Sequence, residues 1–89
     1  MVNSRRSEFD IISEILKLSN NGARKTEILY QGNLSYSQLQ NYLYFLIDKG
    51  IIEEKTVNNG NGGMTRIYKS TEKGLSLLSD INKTMSYFK

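Results

Sequence analysis

The chain has 89 residues, of which 38% are hydrophobic, and it contains no cysteine, histidine or tryptophan. A chain of this length is expected to form one domain with a small core. The absence of Cys and His excludes disulfides, the usual zinc ligands and the commonest general base, so we expect no enzyme, no metal site and no cofactor. The net charge of +3 is compatible with a polyanionic partner without requiring one.

The N-terminal segment, residues 1–6, is predicted to be a flexible arm. Arg5 and Arg6 in it either contact a phosphate or a minor groove, or are simply solvated, which is the simpler interpretation. No apolar segment follows the two arginines, so the segment does not resemble a secretory signal. No apolar run reaches the roughly 20 residues that cross a bilayer. We therefore expect a cytoplasmic protein with no membrane partner.

Two short helices are predicted next. The first, residues 7–19, has a wide apolar face, acidic residues early and Lys17 late, as the helix dipole favours. The second, residues 24–30, begins with Arg24 and Lys25, where free backbone N–H groups favour an anion; a phosphate contact and plain solvent exposure are both open. The link that follows, residues 31–34, is short and contains Gly, which is typical of a helix-turn-helix connection.

The third helix, residues 35–50, has the clearest signals in the sequence. Ser35 and Gln38 form the pattern of a capping box, and Gly50 stands where a left-handed residue ends a helix. A stripe at spacings of three and four predicts one buried face, and it consists of Leu39, Tyr42, Leu43 and Leu46.

The opposite face of this helix is polar and almost uncharged. At about 100° per residue, Ser37, Asn41 and Tyr44 project away from the core side, and Gln38 and Gln40 flank them. Amide and hydroxyl groups suit base edges in a DNA groove, with Asn and Gln best suited to adenine, and they pack a core badly. The pattern therefore predicts a helix that enters the major groove.

A β-hairpin is predicted after Gly50, with strands at residues 51–57 and 64–69. Either Met64 or Ile67 is expected to face the core, and the side that Tyr68 takes is left open. The tip, NNGNGG, matches neither phosphate-binding glycine pattern, so we expect a mobile loop that orders on contact. Lys55 and Arg66 near its base are candidate contacts to a DNA backbone.

The last helix is predicted to begin after Thr71 as N-cap. Leu78, Ile81, Met85 and Phe88 then follow at steps of three, four and three, which is an a/d seam over two heptads. We expect this seam to pack on another copy of the chain. The alternative is that the helix folds back on its own domain.

The order of these elements, with several short sequence matches, resembles archaeal winged helix-turn-helix DNA-binding proteins, including the small crenarchaeal ten-kilodalton chromatin-associated type. The resemblance covers roughly residues 8–80. The matching residues are Gly22-Ala23-Arg24-Lys25-Thr26-Glu27-Ile28, Tyr30, Asn33-Leu34-Ser35-Tyr36, Leu39, Tyr42-Leu43, Leu46, Lys49-Gly50-Ile51-Ile52 and Thr71-Glu72-Lys73-Gly74 with Leu77-Leu78.

This resemblance implies an α+β, mostly α fold: a winged helix-turn-helix with three helices and a β-hairpin wing, plus an added C-terminal dimerisation helix. The DNA-binding domain would span residues 7–74 and the dimerisation helix residues 75–89. The recognition helix would be residues 35–49 and the wing residues 57–65. In chromatin-type relatives the last helix forms an antiparallel coiled coil; here that helix is shorter, and the wing tip is longer and richer in Gly and Asn. Archaea and their viruses both carry such domains.

The function expected from these observations is that of a dimeric, nucleoid-associated transcriptional regulator that binds double-stranded DNA by sequence, with no small-molecule ligand. Half-sites would lie about 34 Å apart on one duplex face. The candidate DNA contacts are Ser37, Gln38, Gln40, Asn41, Tyr44, Arg24, Lys25, Lys55 and Arg66, and the candidate dimer contacts are Leu78, Ile81, Met85 and Phe88.

Two alternatives stay open. A nonspecific, chromatin-like DNA binder is disfavoured by the modest charge, because such proteins gain most of their affinity from cations. A protein-interaction or assembly module without DNA binding is the other, since a fold does not determine function. In that case Tyr36, Tyr44 and Phe45 would form the protein-binding patch.

Overall fold

A computed structural model describes residues 7–88 of the chain. The arm expected at residues 1–6, with Arg5 and Arg6, lies outside the described residues. The elements are four helices and two strands, in the order α1 Glu8–Leu18, α2 Lys25–Gln31, α3 Tyr36–Asp48, β1 Ile52–Asn58, β2 Met64–Ser70 and α4 Glu72–Ser86.

Hydroxyl side chains begin three of the helices. Ser7 accepts a hydrogen bond from the backbone of Asp10 and starts α1, and Ser35 does the same with Gln38 at the start of α3. The Thr71 side chain accepts from the backbone of Gly74 at the start of α4. Each bond satisfies an N–H group that has no partner within its own helix. The start signals predicted for α3 and α4 are confirmed.

The end of α3 is a complete Schellman motif. Gly50 has φ of +72°, its N–H lies 3.0 Å from the Ile47 carbonyl oxygen, and the Ile51 N–H lies 2.8 Å from that of Leu46. Only a residue that tolerates positive φ can reverse the chain in this way, and glycine does so at the lowest cost. The chain therefore leaves α3 sharply and enters β1 at once.

The hairpin is oriented by the link between α1 and α2. Ala23 in that link forms an isolated antiparallel bridge with Tyr68, through two backbone hydrogen bonds of 2.9 and 2.8 Å. Tyr68 is consequently the core-facing aromatic of β2, with only 4% of its surface exposed. The expectation that Met64 or Ile67 faces the core is corrected: Met64 is exposed at the tip, and Ile67 is half-buried near Gly22.

One cluster of buried side chains forms the core. The apolar stripe of α3, Leu39, Leu43 and Leu46, is buried as predicted and is joined by residues from α1, α2 and the hairpin. The cluster comprises Ile11, Ile15, Leu16, Ala23, Ile28, Leu34, Leu39, Leu43, Leu46, Ile51, Ile52 and Tyr68. Three helices and a two-stranded antiparallel hairpin enclose it, and α4 packs on α1. The predicted fold class, a mostly helical winged helix-turn-helix with an added C-terminal helix, is confirmed.

The first turn of α4 is bonded to the end of α3. The Thr71 hydroxyl lies 2.7 Å from the Gly50 carbonyl oxygen and 3.0 Å from that of Ile51. The Lys73 ammonium donates to the Lys49 carbonyl oxygen at 2.7 Å. Gly74 is buried in the same contact, and a Cβ there would clash with the Ile51 carbonyl oxygen. This contact, the α3–α4 joint, satisfies carbonyl groups left free where α3 ends.

Candidate functional site

The outer face of α3 is exposed, as its periodicity predicts. Ser37, Asn41 and Tyr44 all project into solvent, and Tyr44 retains 79% of its accessible surface. Leu39 and Leu46, on the opposite side, are fully buried. The helix therefore presents a continuous face of hydroxyl and amide groups beyond the body of the domain.

The three amide side chains of this face differ in what they are free to do. The Gln38 side-chain oxygen accepts the Ser35 backbone N–H at 3.0 Å, which completes the capping box. The Gln40 side-chain oxygen accepts from the Lys25 ammonium at 2.8 Å. Within residues 7–88, the Asn41 side chain has no hydrogen-bond partner, so both its oxygen and its nitrogen face solvent unengaged.

Arg24 is paired with a carboxylate of its own helix. Its guanidinium Nε lies 3.3 Å from Glu27 Oε1, which also accepts the Arg24 backbone N–H at 3.0 Å. The backbone hydrogen bond first, and then the guanidinium, lower the pKa of Glu27 below its ordinary value. The expected anion-binding position at the start of α2 is thus already engaged by Glu27.

A small cleft of about 180 Å³ separates α2, α3 and the hairpin. Lys25 stands in it, with its ammonium 5.6 Å from the ring centre of Tyr36 and 5.8 Å from that of Tyr68. Cations within about 6 Å of an aromatic face are attracted to it. The other polar residues lining the cleft are Gln40, Tyr44, Glu54, Arg66 and Tyr68.

The hairpin register decides which of its charges reach this cleft. Glu54 pairs with Tyr68 and Thr56 with Arg66, so Glu54 and Arg66 share the face that carries Tyr68. Glu54 Oε1 lies 3.7 Å from Arg66 Nε. Burial, and then the hydrogen bond to Glu54, raise the pKa of Tyr68 above its ordinary value.

Lys55 lies on the other face of the hairpin, where its ammonium is 3.3 Å from Glu53 Oε1. Of the four cations proposed from the sequence, the structure therefore brings Lys25 and Arg66 together beside α3. Arg24 and Lys55 do not line the cleft. Glu54 and Tyr68 were missed as members of this site. The strand register places them opposite each other, but their approach to α3 depends on the orientation of the hairpin, which no local sequence pattern contains.

The folded body carries no net charge. All nine carboxylates of the chain lie within residues 7–88, together with nine of the twelve lysines and arginines. The excess of three positive charges belongs to Arg5, Arg6 and Lys89, which lie outside that range. Three of the four proposed backbone-binding cations also have a carboxylate within 4 Å. Any attraction of the body for a polyanion is therefore local rather than general.

The tip of the hairpin is built by asparagine side chains. The Asn58 side-chain oxygen accepts the Gly60 N–H at 2.9 Å, and that of Asn59 accepts the N–H groups of Asn61 and Gly63 at 3.0 and 3.3 Å. Such Asx bonds replace the backbone partners that a turn leaves free. The loop projects these groups into solvent at the far end of the wing.

The seam of α4 is divided between two environments. Ile81 is buried within its own chain and Leu78 packs against the core, which matches the alternative that the helix folds back. Met85 is half-buried and Phe88 retains 85% of its surface. Phe9 of α1 is also exposed and, with Ile81 and Met85, lines an apolar depression of about 230 Å³. Within residues 7–88, nothing covers the far end of the seam.

No group of three or more acidic side chains within residues 7–88 could hold a metal ion. None of the described helices combines the length and apolar character needed to cross a membrane.

Comparison with known proteins gives consistent results. The sequence model of the family described as winged helix-turn-helix matches residues 5–89. An uncharacterized protein of Methanocaldococcus jannaschii is 39% identical over 51 residues, which is 56% of this chain and 53% of that protein. The chain thus spans about half the length of that relative.

Two solved structures share the fold. The crystal structure of Sso10a-2, described as a DNA-binding protein from Sulfolobus solfataricus, superposes with a TM-score of 0.76 and 28% identity, covering 92% of this chain and 81% of that one. A PadR-like transcriptional regulator from Bacillus cereus superposes with a TM-score of 0.79 and 18% identity, covering 88% and 82%. The second similarity concerns the fold alone.

Proposed function

This chain belongs to the winged helix-turn-helix family, and from that premise we propose that it is a transcriptional regulator that recognises double-stranded DNA by sequence. In this proposal α3 enters the major groove and the wing, residues 57–65, lies along the backbone or the minor groove. A cytoplasmic, nucleoid-associated location follows from such a role. The similarity to Sso10a-2, a DNA-binding protein at 28% identity, supports the proposal.

The observation that carries the proposal is the outer face of α3. Ser37, Asn41 and Tyr44 stand exposed on one side of a helix whose other side is sealed into the core. The major groove is about 12 Å wide and accepts one helix, and a free amide donates to and accepts from adenine at once. Asn41, with both amide atoms unengaged, is the residue to which we assign base recognition.

The cations are assigned to the DNA backbone. Lys25 and Arg66 flank α3 on its hairpin side, where a phosphate beside the occupied groove would lie. Arg24 and Lys55 would make outer contacts, on exchanging their carboxylate partners for phosphates. Contacts of this kind set the register of a protein on the duplex and carry no sequence information.

We further propose that two copies associate through the far end of α4. Met85 and Phe88 follow the buried Ile81 along the predicted seam, and Phe9 lines the same apolar depression as Met85. Exposed apolar groups of this size are commonly covered in an assembly. A two-fold pair of this kind would present its two α3 helices to half-sites about 34 Å apart.

Selection of bound duplexes from a random pool tests recognition. We expect enrichment of paired half-sites that contain adenine. Binding of random duplex at low and moderate salt is measured alongside, and it should fall steeply with salt because phosphate contacts release counterions. Binding without any enriched sequence would instead support a chromatin-like role, against which the uncharged body already argues.

One observation favours a second candidate, a protein-interaction module. Tyr36 and Tyr44 expose 61% and 79% of their surfaces, and Phe45 of the same helix is exposed as well. Aromatic residues of this kind are enriched in protein interfaces. Binding of random duplex at low and moderate salt separates the two candidates, because a protein-interaction module should bind no duplex at either salt concentration.

A further inference from the structure

The cleft beside α3 contains a carboxylate where DNA binding calls for a cation. Glu54 shares the cleft with Lys25 and Arg66, the two cations nearest the proposed groove-binding face. It lies 3.7 Å from the Arg66 guanidinium on the same face of the hairpin. A phosphate that approached Arg66 would meet the negative charge of Glu54 at the same place.

Two contacts hold Glu54 in the cleft, the Arg66 guanidinium and a hydrogen bond with Tyr68, and the contact with Arg66 is the one that can be exchanged. The Glu54 and Arg66 side chains retain 44% and 65% of their surfaces, so water screens the pair. Exposed pairs of this type contribute little to the stability of a fold. The pair is therefore well placed to be exchanged, with Arg66 passing from a carboxylate to a phosphate without loss of the hairpin.

We infer that Glu54 sets the selectivity of the chain by competing with DNA phosphate for Arg66. The inference rests on the proposed function. Random duplex offers phosphates but few matching bases, so it gains little by displacing Glu54. A preferred site gains the base contacts of α3 as well, and these hold the phosphate in place long enough for Arg66 to exchange partners.

Because residues 7–88 carry no net charge, the single negative charge of Glu54 has a large effect on their affinity for DNA. Nonspecific affinity comes almost wholly from cations that neutralise phosphates. Residues 7–88 have no surplus of cations, so one released arginine is a large fraction of what the body offers. Holding Arg66 on Glu54 lowers the affinity for the vast excess of wrong sites more than for the right one.

Four variants test the inference: Glu54→Gln, its neighbour Glu53→Gln, Arg66→Gln, and the double variant Glu54→Gln/Arg66→Gln. Glu53 lies on the opposite hairpin face beside Lys55, so its change removes the same charge away from the cleft. Affinity for a random duplex and for a selected duplex is measured against salt. Thermal melting of each variant checks that it remains folded.

We expect Glu54→Gln to raise affinity for random duplex about three- to ten-fold at low salt and to steepen the salt slope by about 0.9, the value for one added phosphate contact. The selected duplex should gain less, so the specificity ratio falls. Glu53→Gln also frees a cation, Lys55, but on the hairpin face away from α3, so its gain in random-duplex affinity should be clearly smaller, less than about two-fold.

The double variant gives the sharpest outcome. Arg66→Gln should weaken binding to random duplex much more in the Glu54→Gln background than in the original chain. Equal effects of Arg66→Gln in both backgrounds, or equal gains from Glu53→Gln and Glu54→Gln, would overturn the inference while leaving the proposed function intact. An original chain that binds neither duplex would overturn the proposed function, and this inference with it.

Discussion

At the scale of single residues, Gln38, Gln40 and Asn41 of α3 carry the same amide group but differ in how many of its atoms are free to bind DNA. A lysine ammonium and a backbone N–H can only donate, so Gln40 and Gln38 must each turn the amide oxygen towards them. A bidentate contact to adenine needs an oxygen and a nitrogen together. Of these three residues, Asn41 alone keeps both atoms available within the described part of the chain.

This difference predicts different results for two alanine substitutions. Asn41→Ala should weaken binding to a selected duplex by about 1–3 kcal/mol, hardly alter binding to random duplex and leave the melting temperature unchanged. Gln38→Ala should instead lower the free energy of unfolding by about 0.5–1 kcal/mol, because it removes half of the α3 capping box. Titration with both duplexes and urea denaturation measure these effects. Equal loss on both duplexes for Asn41→Ala would remove it as a base-reading residue.

The residues also show how far sequence analysis reached. The exposed side of α3 was predictable because helical geometry relates Leu39 to Ser37 and Asn41 within a few residues. The bond between Lys25 and Gln40 joins two helices, and the approach of Glu54 to α3 depends on how Ala23 orients the hairpin. No local periodicity contains that tertiary information, so the cleft and its carboxylate emerged only from the structure.

At the scale of elements, α3 is secured at both ends by different means. Its own capping box closes the first turn, the Schellman motif closes the last, and the α3–α4 joint fixes the residues that follow. The start signals of α3 and α4 and the stop signal of α3 could be predicted, since caps are local features of sequence. The joint itself could not, because it brings together carbonyl groups and side chains some twenty residues apart.

Gly74→Ala should test the joint. Alanine favours a helix over glycine by about 1 kcal/mol, but the new methyl group would meet the rigid backbone at Ile51, so the clash should prevail. We expect a net loss of about 1–3 kcal/mol in the free energy of unfolding, measured in urea. Ser76→Ala on the exposed side of the same helix is the control and should change little. An unchanged or higher stability for Gly74→Ala would show that α4 is free to move.

At the scale of the whole molecule, α4 packs mainly against its own domain, and only its far end stays uncovered within the described residues. The seam was expected to pack on another copy of the chain, yet Ile81 is buried against the chain itself. Met85 lies one turn further along α4, and Phe88 stands exposed just beyond the end of the helix at Ser86. Periodicity identified the apolar residues of α4 as far as Met85, but it could not tell an intramolecular neighbour from a second copy.

The dimer proposal has a direct test in Met85→Asp/Phe88→Asp. Both residues lie past the last fully buried position, so the charges should abolish association and leave the domain folded. Sedimentation is expected to report a monomer, with a circular dichroism spectrum like that of the original chain. Ile81→Asp, by contrast, should unfold the domain, since it buries an unpaired charge. A dimer that survives the double substitution would place the interface elsewhere.

The α3–α4 joint, in which Thr71 and Lys73 bond to the carbonyl groups just after α3, has a consequence for any two-fold assembly. If the far end of α4 contacts a second copy, the joint couples the position of that contact to the position of α3 in the groove. The distance and angle between the two α3 helices of the dimer are then fixed. One extra base pair between the two half-sites would rotate one of them around the duplex by about a tenth of a turn. A rigid dimer could then bind only one half-site at a time.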